Sequence, residues 1–289
     1  MKKIKIYSIV GVCAAAVLYM FDIAGNNNNI VNEIGKEWVA ESRDMRGTGN
    51  LTATNEESAT SDESLLKQKS PDGLAEQILV RTGYTVSYNK DTKLPNWVSW
   101  YLTPERTTGP AKRAGVDFEV DIDVPSPRAE DSDYYGSGYD RGHMCPAADN
   151  KFSKKAMEES FLFSNMCPQN GNLNRGDWNE MEMACRNWAS KYGGVYVVCG
   201  PILYKGKHKT IGKNKVVVPE AFFKVVLREG KEPKAIGFIY KNTEGNRPKG
   251  DYVNSVDDVE RITGIDFFSA LPDDIENKIE AVADINDWQ

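Results

Sequence analysis

His143 is one of two histidines in 289 residues, and it follows Asp140, Arg141 and Gly142 directly. A neutral imidazole near pH 7 can take a proton from water. An arginine beside it can hold a phosphate with two donors and offset charge on phosphoryl oxygens. Gly142 removes a side chain where a ligand approaches the backbone. Proton transfer and anion binding therefore meet in four consecutive residues. Phosphodiester hydrolysis would still need a divalent cation, and the 42 acidic residues are no sign of one, because most such groups are solvated. His208 sits among Lys205, Lys207 and Lys209 with no carboxylate beside it, and reads as surface.

A second polar constellation lies downstream. GNLNRGDW (171–178) reads as a loop that delivers Asn174 to the start of a helix over Asp177–Tyr192. Unpaired N–H groups at a helix N-terminus favour negative ligands. Trp178, Met181, Cys185 and Trp188 recur at helical period, so this helix has one apolar face. Glu182 and Arg186 are i, i+4 neighbours on it. Taken alone they would be a surface ion pair contributing about 0.3 kcal/mol.

Short β-branched or aromatic runs at 97–102, 195–199, 216–218, 222–227 and 235–240 predict strands. SGYDRGH (137–143) suits an extended segment entered from a glycine turn. Further helices are expected over 153–161 and 255–263. Strands and helices do not alternate strictly, so the fold class is α+β, a mixed or antiparallel sheet flanked by helices.

Forty per cent hydrophobic and 10% aromatic residues suffice for a core in one large domain or two small ones. The net charge of −6 argues against a uniformly basic nucleic-acid binder, but the charge is uneven. Residues 201–250 hold ten Lys and two Arg against four Glu, whereas 251–289 hold eleven acids against Arg261 and Lys278. The basic stretch reads either as a phosphate-attracting surface or as a sheet edge guarded by lysine. Apart from Cys13, the cysteines are Cys145, Cys167, Cys185 and Cys199. None is spaced C-x-x-C, so a thiolate zinc site lacks its signature; buried thiols and any of three pairings stay open.

Residues 1–25 read as an export segment, a signal peptide or a retained membrane anchor. Lys2, Lys3 and Lys5 precede an uncharged, mostly apolar run over 6–21, short for a membrane span and long for a signal core. Cys13 raises lipidation, against which Val12 is bulkier than such processing wants. A polar, flexible linker is expected over 26–73 and the folded domain over 74–289. The expected location is outside the cytoplasm: periplasmic, secreted or attached to a membrane by the N-terminus.

YDRGH (139–143), SNMCPQ (164–169) and NRGDWNEME (174–182) together resemble the DNA/RNA non-specific endonuclease family, of the ββα-metal or His-Me finger group. The resemblance extends over about 75–268, with VYVVCGPI (195–202) and VERITGIDFF (259–268) as later markers. Its strength is that DRGH is followed at the right distance by N-x(3)-W-x(3)-E. The resemblance implies a ββα-metal nuclease fold and cleavage of DNA and RNA with little sequence preference. It makes His143 the general base and Asn174 the one direct protein ligand of Mg²⁺, for which Mn²⁺ or another divalent cation substitutes. Glu182 would hold the metal's water shell, and Arg141 and Arg186 would bind phosphate or the transition state. Asp140 would orient the loop or a metal-bound water, and Arg113 is the nearest match to a further upstream arginine. Relatives of this type are often homodimers. No aromatic-rich RNA-recognition strand and no zinc-finger spacing is present.

Two other readings use the same residues. One is a catalytically inactive module of this fold that binds nucleic acid, which the intact His143, Asn174 and Glu182 disfavour. The other is a cysteine hydrolase pairing Cys145 or Cys167 with His143, although both thiols sit in Cys-Pro steps rather than at a helix N-terminus.

Overall fold

Four of the five apolar runs read from the sequence become inner strands of one sheet in the computed structural model, which describes residues 63–243 and 245–289; the run at 216–218 pairs instead in a separate two-stranded ribbon. The expected leader, Cys13 and most of the expected linker lie outside the described residues. In chain order the strands are β1 (Gln77–Val80), β2 (Thr85–Asn89), β3 (Leu94–Leu102), β4 (Asp140–His143), β5 (Met166–Gln169) and β6 (Val195–Ile202). They continue with β7 (Thr210–Ile211), β8 (Val216–Val217), β9 (Ala221–Arg228), β10 (Lys234–Lys241) and β11 (Val253–Asn254).

Seven of them form a sheet in the order β1-β2-β3-β6-β9-β10-β11, with antiparallel pairing throughout. Nearly every residue of β6, β9 and β10 is buried, which is why these strands read as continuous apolar runs. β1 and β2 have no such run. Their sequences QILV and TVSYN become strands by pairing with one another and with β3.

The helices are α1 (Asp131–Tyr134), α2 (Lys154–Glu159), α3 (Gly171–Arg175), α4 (Asp177–Tyr192), α5 (Val256–Thr263) and α6 (Asp273–Glu280). Trp178, Met181, Cys185 and Trp188 of α4 are all buried, as their spacing predicts. Trp178 packs 5.6 Å from Phe222 and 5.7 Å from Tyr240, and Trp188 lies 6.2 Å from Phe238, ring to ring. The helix stops at Gly193, whose φ of 83° is the left-handed conformation that glycine adopts freely. Asp177 at its start accepts bonds from Asn246 N (2.6 Å) and Arg247 N (3.3 Å), and from the Tyr252 hydroxyl. The negative side chain thus satisfies loop N–H groups at the positive end of α4.

β4 and β5 form a separate antiparallel pair with His143 opposite Met166 and Asp140 opposite Gln169. With α4 they make the ββα unit. GNLNR, expected as a loop, is instead the short helix α3. The Asn170 side chain caps it by accepting from Asn172 N and Leu173 N, and Gly176 breaks it from α4.

The folded part also begins before Leu74. Leu65 and Gln68 are buried, and Lys69 N donates to Asp266 O at 3.0 Å, so residues 63–73 pack onto the domain. One buried leucine with two polar anchors leaves almost no apolar pattern to read.

Cys145, Cys167, Cys185 and Cys199 are all free thiols and all buried. Burial pushes Cys185 and Cys199 up to about 12 and raises Cys145 and Cys167 as well, so no thiolate is available as a nucleophile. A colorimetric disulfide reagent should therefore titrate at most Cys13 in the native full chain, and all five cysteines after unfolding in guanidinium. Rapid reaction of a second thiol in the native protein would refute this burial.

Candidate active site

The site is built on the ββα unit. At Gly142 an added Cβ would collide with the side chain of Gln169 across the β4–β5 pair. The glycine is thus required by the strand pairing, and the expected clearance for a ligand is not its role. Behind β4, Trp178 Nε1 donates to the backbone oxygen of His143 at 3.2 Å, so α4 fixes the height of the histidine.

The imidazole of His143 is wedged among aromatic rings. Phe161 meets it edge-on at 4.9 Å and 87°, and Phe118 stands 5.6 Å away. Its Nε2 is buried with no hydrogen-bond partner among the described residues. Burial, and secondarily the Arg113 guanidinium, hold its pKa down at about 3. At neutral pH the ring is therefore uncharged.

Asn174 on α3 donates through Nδ2 to Asp140 Oδ2 at 3.0 Å, and Arg175 Nη2 donates to Asp140 Oδ1 at 2.6 Å. Asp140 thereby commits the nitrogen end of the amide and leaves its oxygen as the end available in the cleft. Glu182 lines the same cleft, one turn into α4. Burial pushes its carboxyl up to about 7, with Asp149 adding to the rise and Lys224 and Arg186 opposing it. This donor set fits a cation that keeps most of its water. One amide oxygen is presented, one half-buried carboxyl is nearby, and among the described residues no three His, Cys, Asp or Glu donors converge at the cleft. Mg²⁺ typically binds through one or two protein oxygens and retains several waters.

Arg186 does not pair with Glu182. Its Nη1 donates to Asp149 Oδ1 at 2.9 Å, and Asp149 also accepts from Trp100 Nε1 at 3.1 Å. Asp149 is 1% exposed, so the acid lies under the cleft and holds the arginine from behind. Next to it Lys224 of β9 is fully buried, its Nζ 4.1 Å from the Trp178 ring centroid and without a hydrogen-bond partner among the described residues. Burial pulls the Lys224 pKa down, and Cys199, Cys185, Glu182 and Asp149 more than offset this, so the ammonium stays charged.

A cleft of about 930 Å³ brings together Arg113, Asp140, Arg141, His143, Asn174, Glu182 and Arg186, each of the expected site residues. Arg141 arrives encumbered. Its Nε donates to Asp131 Oδ1 at 2.5 Å and its Nη2 to Asp131 O at 3.4 Å, with Phe118, Tyr134 and Tyr135 rings around it. It is thus a positioned charge and not a free two-pronged clamp.

The basic stretch 201–250 contributes nothing to the lining; Lys112, Lys151 and Arg175 do, none of which the sequence reading singled out. Asn179, also lining, was missed although it stands three residues before Glu182 on the same helix. Lys224 left a trace in the sequence, a charge inside the apolar run FFKVV (222–226). His208 is corrected as well: its Nδ1 lies 3.0 Å from Glu220 Oε1, a contact the lysine-rich sequence around it conceals.

Residues 61–274 match the family described as DNA/RNA non-specific endonuclease. Human "Nuclease EXOG, mitochondrial" is 35% identical over 240 residues, covering 72% of this chain and 65% of that protein. Human "Endonuclease G, mitochondrial" is 35% identical over 209 residues, covering 68% of this chain and 70% of that protein. The chain thus spans just under two thirds of the EXOG relative. In the crystal structure of the EndoG/EndoGI complex, one chain superposes with a TM-score of 0.65 at 31% identity, over 68% of this chain and 87% of that one.

Both named relatives are mitochondrial, which overturns the expectation of an exported protein. The reason is physical: a positive N-terminus poor in acids is common to export signals and organelle-targeting peptides, and no acid precedes Asp22. The ββα unit with its DRGH strand, its N-x(3)-W-x(3)-E helices and the matching relatives together make this chain a member of the DNA/RNA non-specific endonuclease family.

Proposed function

We propose that the protein hydrolyses phosphodiester bonds in DNA and RNA with little sequence preference, His143 acting as general base and Asn174 as the direct protein ligand of Mg²⁺. The observation that carries this reading is that His143, Asn174 and Glu182 line one cleft. A water standing between the His143 ring and a phosphorus atom loses its proton to the ring as it attacks. Trp178, through the His143 carbonyl, keeps the ring in place during the transfer.

A base with a pKa of about 3 is weak when the cleft is empty. A phosphate seated beside Arg113 cancels part of the positive charge that depresses it, so the substrate raises the basicity of His143. Arg186, backed by Asp149, bears on the charge that accumulates on the phosphoryl oxygens. When bound, Mg²⁺ supplies a Lewis acid that offsets negative charge on the reacting phosphate. The protein's part in holding it is the amide oxygen of Asn174, oriented by Asp140, with Glu182 ordering the surrounding water. Contacts confined to phosphate and metal carry no base information, which accounts for the absence of sequence preference.

Two variants separate the roles in plasmid and RNA degradation assays with Mg²⁺ or EDTA. His143→Ala should lower turnover about 10²- to 10⁴-fold with nearly unchanged Mg²⁺ affinity. Asn174→Ala should slow turnover and raise the Mg²⁺ concentration for half-maximal activity at least about tenfold. Wild-type rates in both variants, or binding without cutting by the wild type, would refute the proposal.

A third expectation concerns pH. The Glu182 carboxyl, raised to about 7, is protonated below that pH, where proton and cation compete. The Mg²⁺ requirement should rise about tenfold per pH unit below 7 and level off above it. Glu182→Gln should abolish that slope; an unchanged slope in this variant would reassign the titration to another group.

A further inference from the structure

The acidic C-terminal region contains a second place where oxygen ligands converge. Asp257 and Glu260 on α5 and Glu280 at the end of α6 each bring one carboxylate oxygen within 4.8 Å of the others. Three negative groups at that spacing repel unless a base, hydrogen bonds or water relieve them. Water reaches Asp257, which is exposed. Glu280 is only 4% exposed, and its Oε1 is buried without a hydrogen-bond partner among the described residues.

After burial, the largest electrostatic effects on Glu280 come from Glu260, Glu276, Asp257 and Asp266, all of them acids, while Arg261 acts on Asp257. Arg261 also pairs with Asp258 at 2.6 Å, and Lys69 with Asp266 at 3.6 Å. Glu260 Oε1 accepts from Phe267 N at 2.7 Å, which aims the carboxylate and leaves its second oxygen. The convergence of acids would by itself mean little. The buried, unpartnered oxygen of Glu280 is a separate observation: burial and the surrounding acids push its carboxyl up to about 9, so the group takes up a proton or a cation.

We propose that Asp257, Glu260 and Glu280 form a Ca²⁺ site that ties α6 to α5. Ca²⁺ takes six to eight oxygens at about 2.3–2.6 Å, so ligands on opposite sides of the ion stand about 4.8 Å apart. Carboxylates supply one side of that shell, and water supplies the rest through the open side at Asp257. None of the three residues lines the catalytic cleft, so the site is independent of the nuclease reading and of the cation at Asn174. Its effect is on the fold: α5 packs on β9 and β10 and α6 on β10, so the ion fastens α6 and α5 together against these strands of the sheet.

The test uses the full chain, with Ca²⁺ alone as the probe. Thermal unfolding followed by circular dichroism should show Tm rising roughly 5–10 °C at a hundredfold excess of Ca²⁺ over its Kd, relative to EDTA. The rise should persist in Asn174→Ala. It should vanish in Glu280→Gln, which in EDTA should melt close to the wild type, because a carboxyl pushed up to about 9 is already protonated at neutral pH in the metal-free protein. Asp257→Asn, at an exposed position, should lose the rise as well and decides the matter if Glu280→Gln does not fold. A wild type with no Ca²⁺-dependent shift, or a shift retained in the charge-neutralised variants, would overturn the proposal.

Discussion

Trp178 is the residue on which the site depends. Its indole N–H holds the backbone oxygen of His143, its ring covers the Lys224 ammonium, and its edges meet Phe222 and Tyr240 of the sheet. One side chain thus couples the histidine strand, the long helix and two sheet strands. A buried indole of this kind contributes area, a hydrogen bond and a cation–π contact together. The height of the imidazole above the sheet is therefore set by core packing and not by a flexible loop.

Beneath the cleft the charges are arranged in depth. Asp149 and Lys224 lie in the interior, and Glu182 and Arg186 line the cleft together with Arg113, Arg141 and Arg175. In a medium of low dielectric such a ladder is costly unless each charge faces an opposite one, and here most do. Asp149 faces Arg186, Asp140 faces Arg175, and Asp131 faces Arg141. The exceptions are informative. Lys224 has no hydrogen-bond partner among the described residues and lies over the Trp178 ring, whereas the uncharged His143 and Glu182, with its raised pKa, line the cleft where a substrate and a cation would meet them.

The same buried environment accounts for the thiols. Cys145 stands two residues from His143 in sequence, yet its sulfur accepts a bond from Asn150 Nδ2 at 3.3 Å inside the core, and burial keeps it protonated. Closeness along the chain to a base does not make a nucleophile when the strand turns the two side chains into different surroundings.

How far the sequence alone reached can be read residue by residue. The period of Trp178, Met181, Cys185 and Trp188 announces α4, because an amphipathic helix needs no partner to declare its buried face. The runs that become β6, β9 and β10 are legible because both faces are covered, and DRGH with N-x(3)-W-x(3)-E locates the site. What lay beyond reach are long-range pairings. Asp149 meets Arg186 across 37 residues, Asp131 captures Arg141 from another element, and Gly142 is required by Gln169 of the neighbouring strand. Local pattern fixes an element's type and inward face. Which charge ends opposite which is decided only when the sheet closes and brings distant segments within a few ångströms.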